Sequence, residues 1–265
     1  MANSNIIQIV GNPYTVGKIK DIKEPSSVIM LSGGIDSVSV LKRILEETDE
    51  RIYAHHIHIK NNSGAQYKRY KAEAEAVRKV VPYMKRTFRD FHYSESTIDT
   101  RQIMNLFPTD IKEEEDEIFI NNIDFPDQLY FHFIAGMLAK VTHSINVYIG
   151  TCKEDYMVHS NGNILGRYAI SGKIREATAH PFEVTLQNPH DNQSKKENME
   201  YLGKELMEMV WYCREPSFKN NKLITCNTKQ EEEQNYQLYS CQVCTHVRSA
   251  LLEIEEEEYR RIENG

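Results

Sequence analysis

The sequence predicts an α/β fold in which helices cover both faces of a parallel β-sheet. Short apolar segments alternate with amphipathic segments over most of the first 150 residues. Alternating strands and helices are typical of a parallel sheet wrapped by helices. Four of the five cysteines fall in the last third of the chain, and such clustering suggests a metal site or reactive thiols before disulfides. A small helical, cysteine-containing subdomain is therefore expected after the sheet.

The first elements follow from the segment VIMLSGGIDSVSVL. Residues 27–31 are short, apolar and followed by glycines, as in a buried strand. Apolar residues then recur at helical spacing and predict a first helix that ends near Glu47. RIYAHHIHI predicts a second strand over 51–59, and a charged helix follows over 66–80. A third strand is predicted over 83–93, where YMKRTFRDFHY alternates.

The second half of the chain contains three further helices and one clear strand. DQLYFHFIAGMLAKV predicts a strongly apolar helix over 127–141. SINVYIG, 144–150, predicts a buried strand because it is short, apolar and ends in glycine. Helices over 194–209 and 241–261 complete the chain.

Two segments show no clear period. Residues 94–124 carry the acidic run EEEDE, which we interpret as a solvated helix face or a loop. Residues 160–192 are irregular and rich in Gly, Asn and His. The whole pattern predicts an N-terminal extension over 1–25, an α/β domain over 26–192 and a C-terminal helical subdomain over 193–265.

Charge and hydropathy argue against two classes of function. A formal net charge of -7 disfavours a protein that coats nucleic acid, because such binding depends on many Lys and Arg contacts to phosphate. No segment approaches 18 consecutive apolar residues, so no membrane contact is expected. The first residues lack the charged and apolar regions of a signal peptide, and a cytoplasmic protein is expected. The sequence is compatible with a homodimer.

The glycine-rich turn SGGIDS is the main candidate for a binding site. It follows a predicted strand and opens a predicted helix, whose first N–H groups and partial positive charge attract anions. Gly33 and Gly34 allow a ligand to approach the backbone, and Ser32 and Ser37 add hydroxyl groups. Asp36 would repel bound phosphates unless a cation such as Mg²⁺ lay between them. A plain strand-to-helix turn capped by serine is the alternative interpretation.

The turn matches neither of two common phosphate-binding motifs. It contains no G-x-x-x-x-G-K-[ST] and no G-x-G-x-x-G. SGGIDS instead resembles the S-G-G-x-D-S signature of the ATP pyrophosphatase (PP-loop) superfamily. The resemblance implies a Rossmann-like sheet of the adenine nucleotide alpha hydrolase type. It also implies that the turn grips the β- and γ-phosphates of ATP through Ser32, Gly33, Gly34, Asp36 and Ser37, so that a substrate is adenylated and pyrophosphate is released.

The C-terminal third resembles the QueC-type 7-cyano-7-deazaguanine synthases within that superfamily. SKKENMEYLG is similar to the family's K-x-E-x-x-x-L-G, with Lys196 placed as the family lysine six residues before Leu202. WYCREP is similar to W-S-C-Y-E-P and places Trp211, Cys213 and Glu215. The resemblance implies that Asp36 and Lys196 act in catalysis, the lysine supplying the cation that the turn lacks.

Two upstream segments extend the resemblance to roughly residues 26–255. VYIGTCKEDY resembles I-x-I-G-x-x-x-x-D-Y and adds Gly150 and Asp155 to the implied nucleotide-binding residues. FPDQLYFHFIAGMLA resembles the family helix that begins P-G-R-N, but the Arg-Asn pair is replaced by Gln128 and Leu129. MVHSNGN replaces the family's S-G-Y-P-D-C-R, which changes segments that shape the acceptor pocket.

Four cysteines are the candidate metal ligands. The family binds one structural zinc, and the resemblance places Cys213, Cys241 and Cys244 among its ligands. Cys226, in an insertion over 217–240, would complete a closed tetrahedral site for Zn²⁺. His246 is the alternative fourth ligand, and loss of zinc, with the thiols as small core residues, is the other interpretation. The fifth cysteine is interpreted as a small buried hydrophobe.

Three histidines on the second predicted strand could bind a metal or simply pack. Alternation places His56 and His58 on one face and His55 on the other. Packed or hydrogen-bonded histidines are the commoner outcome, so no metal is assigned there.

The implied function is ATP-dependent activation of a carboxylate by adenylation, with Mg²⁺ and with 7-carboxy-7-deazaguanine as the expected acid. An amine then attacks the acyl-adenylate. The changed acceptor segments favour a protein amine, as in the QueC-like enzymes of type IV CBASS antiphage systems, over ammonia, as in a 7-cyano-7-deazaguanine synthase. A nucleotide-binding module without activity is a third alternative, and a tRNA-thiolating enzyme is disfavoured by the net charge.

Overall fold

The computed structural model describes most of the predicted domain. The residues that it describes are 26–60, 64–99, 112–114, 117–119, 127–154, 163–180, 183–190, 192–214, 216–219, 222–226 and 241–264. The predicted N-terminal extension, 1–25, lies outside them.

The described residues form a set of short strands and longer helices. The strands are β1 (Ser26–Met30), β2 (Arg51–Lys60), β3 (His92–Asp99), β4 (Lys112–Glu114), β5 (Glu117–Phe119), β6 (Asn146–Tyr148), β7 (Thr185–Gln187), β8 (Ser217–Lys219) and β9 (Lys222–Ile224). The helices are α1 (Ile35–Glu47), α2 (Gly64–Thr87), α3 (Asp127–Thr142), α4 (Asn163–Ala179), α5 (Lys195–Met207) and α6 (Gln242–Asn264).

Five of these strands form one parallel sheet in the order β3-β2-β1-β6-β7. The chain adds β2 and β3 on one side of β1 and then crosses to add β6 and β7 on the other side. The strand order therefore reverses beside β1. In open parallel sheets such a switch point, at the carboxyl ends of the strands, is where ligands bind.

Helices cover both faces of this sheet, as the sequence predicts. On one face Ile29 and Leu31 of the β1 segment belong to a buried cluster with α1 and α2. On the other face Val28 and Met30 pack with Ile134 and neighbouring residues of α3. The alternation of β1 side chains between two apolar clusters explains why Val28, Ile29 and Met30 are buried.

The two C-terminal helices share the core of the first face. Leu202 and Leu206 of α5 and Val247 of α6 lie in the same buried cluster as Leu41 and Ile44 of α1. The C-terminal segment thus packs against the helix that follows the glycine-rich turn. The boundary between 192 and 193 stays a prediction.

The predicted third strand over 83–93 is wrong in position. Val77, Val80, Val81 and Met84 are buried, and this spacing extends α2 to Thr87. Because apolar residues at i, i+3, i+4 and i+7 share one helix face, the helix continues through the segment that seemed to alternate. The third strand, β3, begins only at His92.

Two segments without a clear period also contain regular structure. Residues 160–192 include α4 and β7. The region of the acidic run forms the antiparallel pair β4–β5, where a helix face or a loop was expected. None of the described helices combines the length and apolarity that a membrane crossing requires.

Candidate active site

The SGGIDS segment forms the turn between β1 and α1, at the carboxyl end of the central strand. Ser37 Oγ accepts a hydrogen bond from the Ser32 backbone N–H (3.2 Å) and lies 3.0 Å from Ser32 Oγ. The same hydroxyl donates to the Gly34 carbonyl at 3.2 Å. Both predicted serines therefore hold the turn closed. Since the N-cap is Gly34, it offers no side chain to the first N–H groups of α1, which leaves these groups available to bind an anion.

Position 33 requires glycine for two reasons. Its φ is +80°, a backbone conformation that favours glycine. A Cβ at this position would lie 2.9 Å from Val77 Cγ2 and 3.1 Å from the Glu73 carbonyl oxygen. The turn is therefore pressed against α2.

Gly150 lies against the same turn from the other side. A Cβ at Gly150 would come within 2.4 Å of the Ser37 backbone nitrogen and 2.6 Å of the Asp36 carbonyl carbon. Only glycine lets the end of β6 approach the start of α1 this closely. The structure thus brings Gly150 to the predicted turn. Asp155 lies outside the described residues.

Asp36 is held by two side chains from α5. Lys195 Nζ lies 2.5 Å from Asp36 Oδ2. Asn198 Nδ2 donates to Asp36 Oδ1 at 3.0 Å. Lys195 is 3% exposed and Asn198 is fully buried, so both contacts are shielded from water. Each oxygen of the carboxylate at the start of α1 is therefore oriented.

His190 extends this network behind Asn198. Its Nδ1 lies 2.6 Å from Asn198 Oδ1. Because a carboxylate only accepts, the amide nitrogen of Asn198 must face Asp36 and the amide oxygen must face His190. His190 is then the Nδ1–H donor. Burial, and then the nearby charge of Arg43, lower the pKa of His190, which keeps the ring neutral.

Lys196, the lysine predicted to act on ATP, does not reach this network. Its Nζ forms an ion pair with Glu257 of α6, and that hydrogen bond raises the pKa of Lys196. The lysine that faces Asp36 is its neighbour, Lys195. The sequence places the family lysine by its distance from Leu202, whereas the structure puts the preceding residue, Lys195, beside Asp36.

A local signal in the sequence could have identified Lys195. Ser194 and Glu197 form a capping box, in which each side chain bonds the backbone N–H of the other residue. The box places Lys195 at the first helical position. Lys195 and Glu197 also satisfy K-x-E, whereas Lys196 is followed two positions later by Asn198. No local pattern marks His190 or Asn198, which the sequence analysis missed.

Trp211 connects the turn to the cysteine cluster. Its backbone N–H donates to the Gly33 carbonyl at 2.9 Å, and its indole Nε1–H donates to the Cys213 carbonyl at 2.8 Å. The segment WYC is therefore tied at one end to the turn and at the other end to the cysteines.

The four predicted cysteines come together in one buried cluster. The sulfur atoms of Cys213, Cys226, Cys241 and Cys244 all lie within 4.8 Å of one another. Three backbone N–H groups donate to sulfur, namely Cys226 to Cys213 (3.3 Å), Cys241 to Cys226 (3.3 Å) and Arg214 to Cys241 (3.5 Å). Such amide donors stabilise thiolates, and the four sulfur atoms lie close enough together to hold one metal ion. His246 is not part of this group.

The histidines of β2 are bonded within the sheet. His55 contacts Ser94 Oγ (2.8 Å) and Ser96 Oγ (2.9 Å) through its two ring nitrogens. His56 Nδ1 lies 2.8 Å from the Leu31 carbonyl, at the start of the turn. Burial lowers the pKa of His55 to about 3 and that of His56 to about 4, so both rings are neutral. No metal-binding group of three or more includes them among the described residues.

The parallel sheet and the serine- and glycine-held turn at its switch point define a protein of the PP-loop class, whose members use ATP. The sequence model described as "Queuosine biosynthesis protein QueC" matches residues 26–255. The chain therefore belongs to the QueC family. No curated protein matches the sequence closely enough to count as a relative.

Solved structures resemble the chain only distantly. The U34-tRNA thiolase NcsA of Methanococcus maripaludis, solved with its 4Fe-4S cluster, is 15% identical, with 88% of this chain and 73% of that chain covered and a TM-score of 0.45. The NH3-dependent NAD synthetase of Campylobacter jejuni is 15% identical, with coverages of 89% and 88% and a TM-score of 0.38. The glutamine-dependent NAD+ synthetase of Acinetobacter baumannii is 16% identical, with coverages of 51% and 23% and a TM-score of 0.31.

Proposed function

We propose that this protein activates a carboxylate by adenylation and then joins it to an amine, with release of pyrophosphate and AMP. The observation that carries the proposal is the pairing of Asp36 with Lys195 beside the SGGIDS turn. A turn that attracts an anion, together with a buried ammonium group, can bind the triphosphate of ATP and neutralise the departing pyrophosphate. The carboxylate oxygen of the substrate attacks the α-phosphorus, and the bond to pyrophosphate breaks.

Asp36 is the residue that would hold Mg²⁺ at this site. Carboxylate oxygens and phosphate oxygens are the ligands that this ion prefers. When bound, Mg²⁺ would shield Asp36 from the phosphates. Ser32 and Ser37 keep the turn in shape, and Gly150 holds the end of β6 against it. These side chains position the reactants, which is the main requirement of such a transfer.

The expected acid is 7-carboxy-7-deazaguanine, as in the family to which the chain belongs. We propose that the amine is a group on a protein partner, as in QueC-like enzymes of antiviral defence. Gln128, Leu129 and the segment 157–163 support a changed acceptor, since they depart from the family motifs near the acceptor. Conversion of the acid to a nitrile with ammonia is the second candidate.

We further propose that Zn²⁺ occupies the cysteine cluster as a structural ion. Four buried cysteines leave no position open for a substrate, which is the mark of a structural site. The ion would stabilise the WYC segment, and Trp211 would transmit this order to the turn.

The test is incubation of the protein with ATP, Mg²⁺ and 7-carboxy-7-deazaguanine, with ammonia or with a protein encoded by a neighbouring gene as the source of the amine. Pyrophosphate release and the mass of the products are measured. AMP and pyrophosphate without free nitrile, and with a deazaguanine mass on a protein amine, are the expected result. Free nitrile would identify the second candidate instead. Absence of pyrophosphate release with this acid and with other acids would contradict the adenylation proposal.

A further inference from the structure

A buried arginine lies between α3 and α4. Arg175 of α4 is only 7% exposed. Its Nη1 lies 3.2 Å from His132 Nδ1 on α3, while its Nε is buried and has no hydrogen-bond partner. Within the described ranges, no carboxylate forms an ion pair with this guanidinium.

The carboxylate that acts on Arg175 among the described residues is that of its exposed neighbour Glu176, which is itself paired with Lys173. Burial, and then the neighbouring Arg175, lower the pKa of His132 to about 4, so the ring is neutral and accepts from the guanidinium through Nδ1. Ser171 lies one helical turn before Arg175, on the same face of α4. Its hydroxyl is fully buried and also has no partner. A cation and an unused hydroxyl are therefore buried together.

A buried cation without a counter-ion is unfavourable, because its desolvation is not offset by an opposite charge. The guanidinium donates from Nη1 to His132. The edge of the group that contains Nε remains available for another acceptor. A planar carboxylate can accept two parallel hydrogen bonds from that edge. α3 and α4 pack closely at this point, since a Cβ on Gly136 would come within 2.7 Å of the Arg175 carbonyl oxygen.

We propose that Arg175, with Ser171 and His132, forms a binding site for a carboxylate group. The guanidinium edge binds both carboxylate oxygens, and the Ser171 hydroxyl is available as a further donor. The site is assigned from the α3–α4 contact alone and does not rest on the adenylation chemistry. Free small carboxylates and the carboxylate of a larger ligand share this chemistry.

The test measures the midpoint of thermal unfolding of the full chain in sodium formate or acetate against sodium chloride at equal ionic strength. A ligand that binds only the folded state raises the midpoint with concentration. At ten times the dissociation constant we expect a rise of about 3–6 °C for a chain of this size. A parallel titration with 7-carboxy-7-deazaguanine tests whether the site binds the carboxylate of a larger ligand. In that case this compound would raise the midpoint at a lower concentration than acetate does.

Three variants make the result specific. Arg175→Met removes the positive charge and the planar guanidinium with its paired N–H donors. We expect this variant to show no rise of the midpoint with carboxylates, and a midpoint in chloride equal to or higher than that of the natural chain. Arg175→Lys keeps the charge but loses the planar fork, so at least a tenfold weaker response is expected. Arg86→Met removes an exposed arginine of α2 and should respond like the natural chain.

The proposal is overturned if the unfolding midpoint of the natural chain does not rise specifically with carboxylates. It is also overturned if the midpoint of Arg175→Lys rises as much as that of the natural chain. A rise with phosphate and none with formate or acetate would overturn the assignment of a carboxylate. If Arg175→Met does not fold, the comparison of Arg175→Lys with Arg86→Met decides.

Discussion

Lys195 Nζ lies 2.5 Å from Asp36 Oδ2, although 159 positions separate the two residues in the chain. The contact joins the first turn of α5 to the first turn of α1. It places one ammonium group and one carboxylate at the carboxyl end of the central strand. The next lysine, Lys196, points to Glu257 instead.

Replacement of each of these two lysines by alanine should separate their roles. Lys195→Ala removes the cation beside the turn, and we expect a loss of about 10²-fold or more in pyrophosphate release, because such groups act on charge that develops in the transition state. Lys196→Ala breaks only a partly exposed ion pair and should leave the rate within about twofold. Circular dichroism is the check that both variants fold. Equal losses in the two variants would contradict this assignment.

Asn198→Asp tests the hydrogen bond to Asp36. The variant places a second carboxylate about 3 Å from the first. Two close carboxylates raise the pKa of one of them, so the folded state binds a proton more readily than the unfolded chain. The loss of stability should therefore be larger at pH 8 than at pH 5. Asn198→Ala is the control, since it removes the bond without charge and should lose the same stability at both pH values. Urea unfolding measures both.

Gly150→Ala should disturb the turn directly. Its Cβ would lie 2.4 Å from the backbone nitrogen of Ser37, and backbone atoms cannot rotate away as a side chain can. We expect a loss of about 1–3 kcal/mol in the free energy of unfolding and a weaker affinity for ATP. Gly172→Ala is the matched control. A Cβ there meets nothing within 4 Å, and alanine in a helix should add up to about 1 kcal/mol. Loss of similar size in both would refute the close-approach argument.

Stability should fall as the pH drops below about 6.5, in part through His55. The pKa of His55 is about 3 in the folded protein because of burial and then of His56, and the ordinary value is 6.5. The unfolded chain therefore takes up the proton first, and stability is full above about pH 6.5. Each such histidine contributes a slope of about 1.4 kcal/mol per pH unit between the two pKa values. Removal of this ring by His55→Gln should reduce the slope by that amount.

The control for the pH experiment is His180→Gln, which changes an exposed residue at the end of α4. Its slope between pH 6 and 4.5 should equal that of the natural chain. The measurement is urea unfolding at several pH values. An unchanged slope in His55→Gln would show that this ring is not kept neutral by burial.

Metal removal should unfold the cysteine cluster. We expect one bound metal ion per chain by elemental analysis, and a lower unfolding midpoint after treatment with a chelator. Cys226→Ser should lose the ion, because this residue supplies one of four sulfur atoms. His246→Ala should keep it. Retention of the ion by Cys226→Ser together with its loss from His246→Ala would make histidine the fourth ligand.

Local parts of the fold could be predicted from the sequence. The predictions of a strand, a turn and a helix in the SGGIDS region are confirmed. They rest on the conformational freedom of glycine and on the spacing of apolar residues, which both depend on residues close together in the chain. The segment that contains α4 was not predicted. α4 packs against α3 at Gly136, and its helical state depends on that contact as well as on its own period.

The sequence by itself determined the class of sheet, the turn that opens α1 and the four cysteines that come together. Only the tertiary structure decided that Lys195 and not Lys196 faces Asp36, and that His190 and Asn198 support it. It also decided that Arg175 is buried without an ion pair to any residue that the structure describes. The physical reason is that these relationships join residues distant in the chain. Side-chain direction on a helix changes by about 100° per residue, so one position of register selects a different partner.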